Sequence, residues 1–437
     1  MKIIFKIKKA LCLISILCFS AALSGCGGGT DEMDKTEMKQ FTIQGDSVKI
    51  GIISDTQLPP TEKEFEKSDV YVKNLEKSLE VLKENDVDMI IFAGDIGDLG
   101  TRFAFETYAD SFDKVFQDDK PIVQTIMGNH DYWHKNIFTA IDHVKAFEEI
   151  IGQSPWTHYV VNGYHFIGAS PDNGDMTEGY KKTALWLDGE LKKASSESEE
   201  KPIFVITHNQ PKDTSYGSDD WGDTTLDAVL SKYPNVINFS GHVHYSLLDE
   251  RSIWQEDYTV INTQSLSYTE MEEGKENGTI PPNANATPMG YIMEIDSGDI
   301  KIHRFNFADG KEEKSNMVWQ FDLPYSNDKK YSFENREASN EAPKMPLGEG
   351  SAKVINGKVE LSFPAGSDDD FVHSYKIVDS SNNEKLFFSD FYNGIASMAK
   401  TVTFKFDGNP ASGSVYKIYA VDSWGKESEN YITATVK

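Results

Sequence analysis

The chain has 437 residues, 39% of them hydrophobic, and a formal net charge of −27 at pH 7; that length and apolar content suit two globular units with cores of their own. Four lysines and no acid stand in the first 25 residues, which leaves 39 of the 43 basic residues against all 70 acidic ones in the remainder. Such a surface repels nucleic acid and anionic headgroups, which sets both aside as partners, and any handling of phosphate esters has to take its positive charge from metal ions.

The N-terminus reads as an export signal. Lys2, Lys6, Lys8 and Lys9 form a positive segment, and the apolar run over residues 11–23 falls short of the ~20 residues that span a bilayer. The run ends Leu23-Ser24-Gly25-Cys26, which resembles a bacterial lipobox and implies a lipid on Cys26. The protein is then anchored outside the cytoplasm, on an outer membrane or a cell surface, through that lipid only. An uncleaved anchor with an incidental cysteine is the rival reading; the small residues before Cys26 and Gly27-Gly28-Gly29 after it argue against that. Cys12, Cys18 and Cys26 are the three cysteines, so the mature chain has no disulfide and no cysteine nucleophile. Residues 26–45, polar and glycine-rich, read as a flexible tether.

The apolar run over residues 48–53 has the length of a buried strand, and Leu75, Leu79 and Leu82 then recur at helical spacing. Residues 89–93 read as a second strand, residues 103–117 as a helix through Phe105, Tyr108, Phe112 and Val115, and residues 122–127 as a third strand. Residues 203–206 and 236–239 are further strands flanked by helix-like segments, residues 180–194 among them. This alternation predicts an α/β fold with its sheet covered on both faces. Strands over residues 259–262, 291–295 and 300–307 complete it, and residues 325–350, rich in charge, Asn and Pro, read as a linker. Beyond lie short alternating strands over residues 359–363, 374–378, 386–389, 401–406, 415–421 and 431–436, the pattern of a β-sandwich.

Each apolar strand of the first part ends in side chains that can ligate a metal. Asp55 and Gln57 follow the first strand, Asp95 and Asp98 the second, and Asn129, His130 and Asp131 the third; His208 follows residues 203–206, and His242 and His244 follow residues 236–239. In open α/β sheets the C-terminal strand edge is where sites form, so these segments converge. Oxygen and imidazole donors without thiolate suit Mn, Fe or Zn. Singly the motifs are weak: Gly-Asn-His-Asp alone is more often a turn, a lone His208 more often a core or surface histidine, and Asp55-Thr56-Gln57 alone reads as an Asx turn.

In order, Asp55-x-Gln57, Gly94-Asp95-x-x-Asp98, Gly128-Asn129-His130-Asp131, His208 and Gly241-His242-Val243-His244 resemble the calcineurin-like metallophosphoesterases over roughly residues 48–310. The resemblance implies a four-layered α/β/β/α sandwich holding two metal ions. One ion is taken by Asp55, Gln57, Asp95 and His244, the other by Asp95, Asn129, His208 and His242. A carboxylate shared by both ions sets them ~3.5–4 Å apart, with a hydroxide between them as the nucleophile on a phosphoester. It also implies His130 as general acid, with Asp98 as its partner, and leaves Asp131 to the turn. Gln57 stands where a His is usual in the family. Tyr132, Trp133, His134 and the loop over residues 209–222 with Trp221 either line a substrate pocket or pack a rim.

The reading is therefore a phosphoester hydrolase over residues 46–340 and, over residues 348–437, a module resembling fibronectin type III domains. That module is expected to be dispensable for the chemistry and available for glycan or protein contact. Phosphomonoester and phosphodiester substrates both remain open. The rival of another class is a catalytically degenerate surface lipoprotein that binds through the β-sandwich; the complete donor set argues against it.

Overall fold

The computed structural model describes residue 33 and residues 36–45, 47–134, 142–197, 200–314 and 317–437. The export segment and Cys26 lie outside these residues. The first elements in chain order are β1 (Met38–Phe41), β2 (Val48–Ile53), α1 (Glu62–Glu84), β3 (Met89–Phe92), α2 (Arg102–Phe116), β4 (Ile122–Thr125) and α3 (His143–Ile151). There follow β5 (Trp156–Val161), β6 (Tyr164–Ala169), α4 (Thr183–Glu197), β7 (Ile203–Thr207), α5 (Ser218–Trp221), α6 (Asp227–Leu230) and β8 (Val236–Ser240). Next come β9 (Ile253–Gln255), β10 (Thr259–Asn262), β11 (Met289–Ile295), β12 (Asp299–Asn306), β13 (Lys311–Glu312), β14 (Trp319–Asp322) and α7 (Phe333–Ser339). The C-terminal region adds β15 (Glu349–Ile355), β16 (Lys358–Pro364), β17 (Ser374–Val378), β18 (Glu384–Phe388), β19 (Thr401–Asp407), β20 (Val415–Val421) and β21 (Ile432–Val436).

Two sheets face each other. One runs β13-β12-β11-β2-β3-β4, with β14 also on β12, and the other β1-β5-β6-β7-β8-β10-β9. Strand periodicity explains how both faces of each sheet are filled. Ile50, Ile52, Met89 and Ile91 of the first sheet meet Phe166, Phe204, Ile206 and Phe239 of the second in a shared inner core. The alternate residues point outward. Ile53, Ile90 and Phe92 pack under α1 and α2 through Leu75, Leu79, Leu82, Phe105 and Tyr108, and Ile203, Val205 and Val236 pack under α4 and α6 through Leu187, Leu191 and Leu230. The result is the four-layered α/β/β/α metallophosphoesterase fold. No described helix is long and apolar enough to cross a membrane.

Three segments differ from the sequence reading. The expected tether over residues 26–45 contains β1, which pairs in parallel with β5 from Met38 opposite His158 to Phe41 opposite Val161. Its exposed Met-Lys-Gln-Phe sequence has no buried alternation to announce it. The hairpin of β5 and β6, joined through Asn162 and Gly163, was not anticipated at all. The expected linker over residues 325–350 contains α7, capped by the Ser332 hydroxyl, which accepts from Asn335 N. Arg336 on that helix pairs with Glu250, which also pairs with the buried Arg304 at 2.8 Å, and Tyr325 and Tyr331 are buried.

The C-terminal strands form a sheet ordered β18-β17-β20-β21-β15-β16-β19. It closes over a core that draws Val359 and Leu361 from β16, Ile377 from β17, Ile418 from β20 and Ile432 from β21. This region also packs against the first one. Phe371, Phe388, Phe391, Tyr392 and Ile395 belong to the same buried cluster as the inner core of the two facing sheets. Backbone groups join as well: Glu276 N donates to Leu386 O at 2.8 Å, Phe388 N to Asn277 Oδ1 at 2.9 Å, and Ile395 N to Glu313 Oε2 at 3.2 Å. Turn signals and alternation locate strands, but they do not reveal which apolar side chains face a second domain.

Candidate metal centre

The strand ends converge as parallel packing dictates. β2, β3 and β4 run in parallel register, and so do β7 and β8 of the facing sheet, so the residues after them share one edge. The turns are cross-linked by the backbone: Asp55 N donates to Gly94 O at 3.0 Å and Gly241 N to His208 O at 2.9 Å. Asp55, Asp95, Asn129 and His208 are fully buried or within 1% of it. Glycine is required at three of these turns. A Cβ on Gly128 would stand 2.1 Å from Asp95 Oδ1, one on Gly241 2.2 Å from Asp55 Oδ2, and one on Gly94 2.7 Å from His208 Nδ1.

Positive φ recurs at the non-glycine positions: Asp55 at 56°, Gln57 at 47°, Asp95 at 56°, His242 at 75° and His244 at 56°. A left-handed conformation costs an L-residue ~1–2 kcal/mol, and such strain gathers where the surrounding structure enforces a functional geometry. Here it folds the chain back so that successive donors face one point.

The side chains meet around Asp95. His208 Nε2 lies 3.2 Å from Asp95 Oδ1 and 3.0 Å from Asn129 Oδ1, while Gln57 Nε2 donates to Asp95 Oδ2 at 2.8 Å. His244 Nε2 lies 3.2 Å from Asp55 Oδ1. Asp55, Asp95 and His208 offer ligand atoms within 4.8 Å of one another. Outside hydrogen bonds orient the rings, since a carbonyl can only accept: His208 Nδ1 donates to Ala93 O at 2.8 Å and His244 Nδ1 to Tyr268 O at 3.1 Å. Each ring thereby turns its Nε2 toward the carboxylates.

The donor set fits cations. Gln57 Oε1 and His242 Nε2 are buried without a hydrogen-bond partner, and buried polar atoms are rarely left so without a functional reason. Burial opposes a charge on His208, yet the Asp95 carboxylate beside it raises that imidazole to about 9. Burial and the neighbouring His208 push His242 down to about 3.

His130 and Asp98 are placed differently from the expectation. The His130 ring is held by the backbone carbonyl of Asp98, with Nδ1 3.0 Å from that oxygen, while the nearest carboxylate oxygen of Asp98 is 3.9 Å away. The Asp98 side chain is half exposed, so solvation competes with the ring for it. The ring also lies against Trp133, with centroids 3.9 Å apart. Asp131 is a turn residue: it accepts from Ile96 N, Gly97 N and Gly128 N, and burial raises its carboxyl to about 7. Trp133 donates to Gly174 O, Tyr132 to Pro171 O, and Trp221 is 42% exposed. Sequence reasoning missed Tyr180, whose hydroxyl accepts from His208 N at 2.7 Å; nothing in its local pattern separates it from a core tyrosine.

Residues 48–246 match the family model of calcineurin-like phosphoesterases. No curated protein matches the chain at a significant level. Among solved structures, a dimetal phosphatase from Danio rerio is 12% identical, with 64% of this chain and 99% of that one covered and a TM-score of 0.42. A purple acid phosphatase from yellow lupin (Lupinus luteus) seeds is 12% identical, with 64% and 54% covered and a TM-score of 0.40. Vacuolar Protein Sorting 29 from Cryptosporidium parvum is 10% identical, with 64% and 98% covered and a TM-score of 0.31.

Proposed function

Taking the calcineurin-like phosphoesterase domain of residues 48–246 as premise, we propose that this protein hydrolyses phosphoesters with two metal ions outside the cytoplasm. The observation that carries the reading is the buried donor cluster at five strand ends, with Gln57 Oε1 and His242 Nε2 left unpartnered. Asp55, Gln57, Asp95 and His244 would hold one ion, and Asp95, Asn129, His208 and His242 the other. Metal ions held by these residues would supply positive charge for the phosphoryl oxygens and a nucleophilic water.

The remaining chemistry falls to the chain itself. Asp95, shared between the sites, is fixed from a third side by the backbone: His130 N donates to its Oδ1 at 2.9 Å. Because the Asp98 carbonyl accepts from His130 Nδ1, that nitrogen carries the fixed proton and Nε2 carries the transferable one. Nε2 faces the site, 3.9 Å from Asp95 Oδ2. His130 is thus the group that protonates the departing oxygen, held in orientation by a carbonyl rather than by a carboxylate.

Metal analysis of the purified protein, with turnover of p-nitrophenyl phosphate and bis-p-nitrophenyl phosphate, tests the reading and separates monoesterase from diesterase. Asp95→Asn should lose both metal and turnover. A protein that holds no metal and cleaves neither ester would instead support the surface-binding alternative. Export and a lipid on Cys26 are part of the proposal, resting on the lysines, the apolar run and the small residues before Cys26; Cys26→Ser should leave the membrane fraction. The C-terminal strands are proposed to be of fibronectin type III kind, on their order and on the residues 415–421 run.

A further inference from the structure

Beside the donor cluster lies a cavity of about 300 Å³ whose walls include Gln57, Glu64, Tyr71, Asp98, Tyr268 and a pair of prolines. It touches the proposed machinery on two sides. Tyr268 packs its ring on His244, with centroids 4.5 Å apart, and accepts from that ring through its own carbonyl. Asp98 is the residue whose carbonyl holds His130. The cavity thus adjoins both the donor cluster, through Gln57, and the residue that holds His130.

The composition of the walls is one-sided. Tyr71 and Tyr268 stand with ring centroids 6.5 Å apart, the carboxylates of Glu64 and Asp98 join them in the wall, and among the described residues no Lys or Arg lines the cavity. Gln57, only 4% exposed, adds a neutral amide to the wall. Aromatic faces and carboxylates together attract cations, quaternary ammonium groups above all, because these are weakly hydrated and cannot demand hydrogen bonds in return. An anionic leaving group, such as a nucleotide or a phosphorylated sugar, would meet like charge from Glu64 and Asp98, with only the neutral tyrosine hydroxyls to donate to it.

Building on the proposed phosphoesterase reading, we propose that this cavity is the leaving-group site and that it selects phosphoesters of cationic amino alcohols of the choline type.

The test uses isosteres, so that charge alone varies. Phosphocholine and 3,3-dimethylbutyl phosphate differ in a nitrogen cation against a neutral carbon, and their methyl diesters do the same for a diesterase. The metal-loaded protein should show kcat/KM about tenfold higher for the choline ester, since one such contact accounts for roughly that factor. Tyr71→Leu and Glu64→Gln, both on helix α1 and away from the donor cluster, should each shrink that ratio severalfold, and Tyr71→Phe should keep it. Calorimetric titration with free choline and with 3,3-dimethylbutanol gives a readout independent of turnover, and choline should bind at least severalfold more tightly. Equal binding of the two alcohols, or a ratio near one for the esters with p-nitrophenyl phosphate still cleaved, overturns the cation preference and leaves the phosphoesterase reading standing. Failure to cleave any ester counts against that broader reading, and the alcohol titration still decides the cavity's preference.

Discussion

Gly128 and Gly241 are each the first residue of a motif that ends in donors, and each is small for a definite neighbour. The Cβ of an alanine at Gly128 would press on Asp95 Oδ1 and, at 2.4 Å, on Asp95 N; at Gly241 it would press on Asp55 Oδ2 and, at 2.9 Å, on Ser54 Oγ. Asp95 is proposed to serve both ions and Asp55 only one. Gly128→Ala is therefore expected to leave the protein nearly free of metal, and Gly241→Ala to leave it with about one ion per chain, as read by elemental analysis after desalting. Identical metal content in the two variants would contradict the assignment of Asp95 as the shared ligand. The role of His130 is separable from metal retention, because its ring approaches the centre only through Nε2, 3.9 Å from Asp95 Oδ2. His130→Ala should keep its metal yet lose ~10²–10⁴ in rate on esters with poor leaving groups, and far less on p-nitrophenyl esters, whose leaving oxygen needs no proton. Equal losses on both would remove it from the acid role. The donor residues were legible in the sequence because each follows an apolar run at a strand end. The atom of Asp98 that holds His130 was not, since residue spacing cannot distinguish a carboxylate from its own backbone carbonyl.

At the scale of elements, β5, β6 and α4 are joined by a buried polar network that plays no part in the proposed chemistry. His158 Nδ1 lies 2.8 Å from Glu190 Oε2, His158 Nε2 lies 2.8 Å from His165 Nδ1, and His165 Nε2 lies 3.3 Å from Glu197 Oε2. Burial, with His158 facing it, lowers the His165 imidazole from its usual 6.5, although Glu197 opposes this. As pH falls through 6.5 the unfolded chain takes up a proton that the folded one refuses, so stability declines. Burial alone would raise the Glu190 carboxyl, but hydrogen bonds from His158 and Lys193 outweigh it and hold the group below 4.5. Its contribution is complete above 4.5 and is lost as pH drops through the lower folded value. Urea midpoints should thus fall continuously from pH 7 to pH 4, and His165→Gln should lessen the part of the decline that begins near pH 6.5, to which His242 also contributes, while keeping the part below 4.5. A midpoint that is flat between pH 7 and 5 in the parent would refute this. The same hairpin shows what sequence reading can overlook. Asn162 and Gly163, at φ 48° and 78°, form the two-residue turn that left-handed positions favour, so the signal was present between two apolar runs. By contrast, β1 carried no such signal, because an exposed edge strand is defined by its partner and not by its own pattern.

For the molecule as a whole, the question is whether the C-terminal sheet is an appendage or a wall of the enzyme. Its core is its own, but Phe391 is fully buried in the inner core of the two facing sheets, stacked on Phe371 with centroids 4.5 Å apart. The polar contacts run toward the donor cluster. His373, 4% exposed at its side chain, lies 3.5 Å from Glu272 Oε1 and 3.6 Å from Asp249 Oδ2. Glu272 accepts from the Tyr216 hydroxyl, and the Tyr216 ring packs edge-on against Tyr245, the residue after His244, with centroids 4.7 Å apart. Cutting the chain near Pro343 would strip aromatic cover from a shared core and leave Glu272 and Asp249 without His373. The truncated protein is therefore expected to aggregate or to melt well below the full chain, with reduced metal content and turnover. Phe391→Ala, which removes one of those side chains and leaves the sheet in place, should cost ~3–5 kcal/mol, the usual range for emptying a buried phenylalanine site. Differential scanning calorimetry of both variants reads the outcome. If the truncated protein melts at the full-length temperature and turns over p-nitrophenyl phosphate at the full rate, the two units are independent and the shared core contributes nothing to stability.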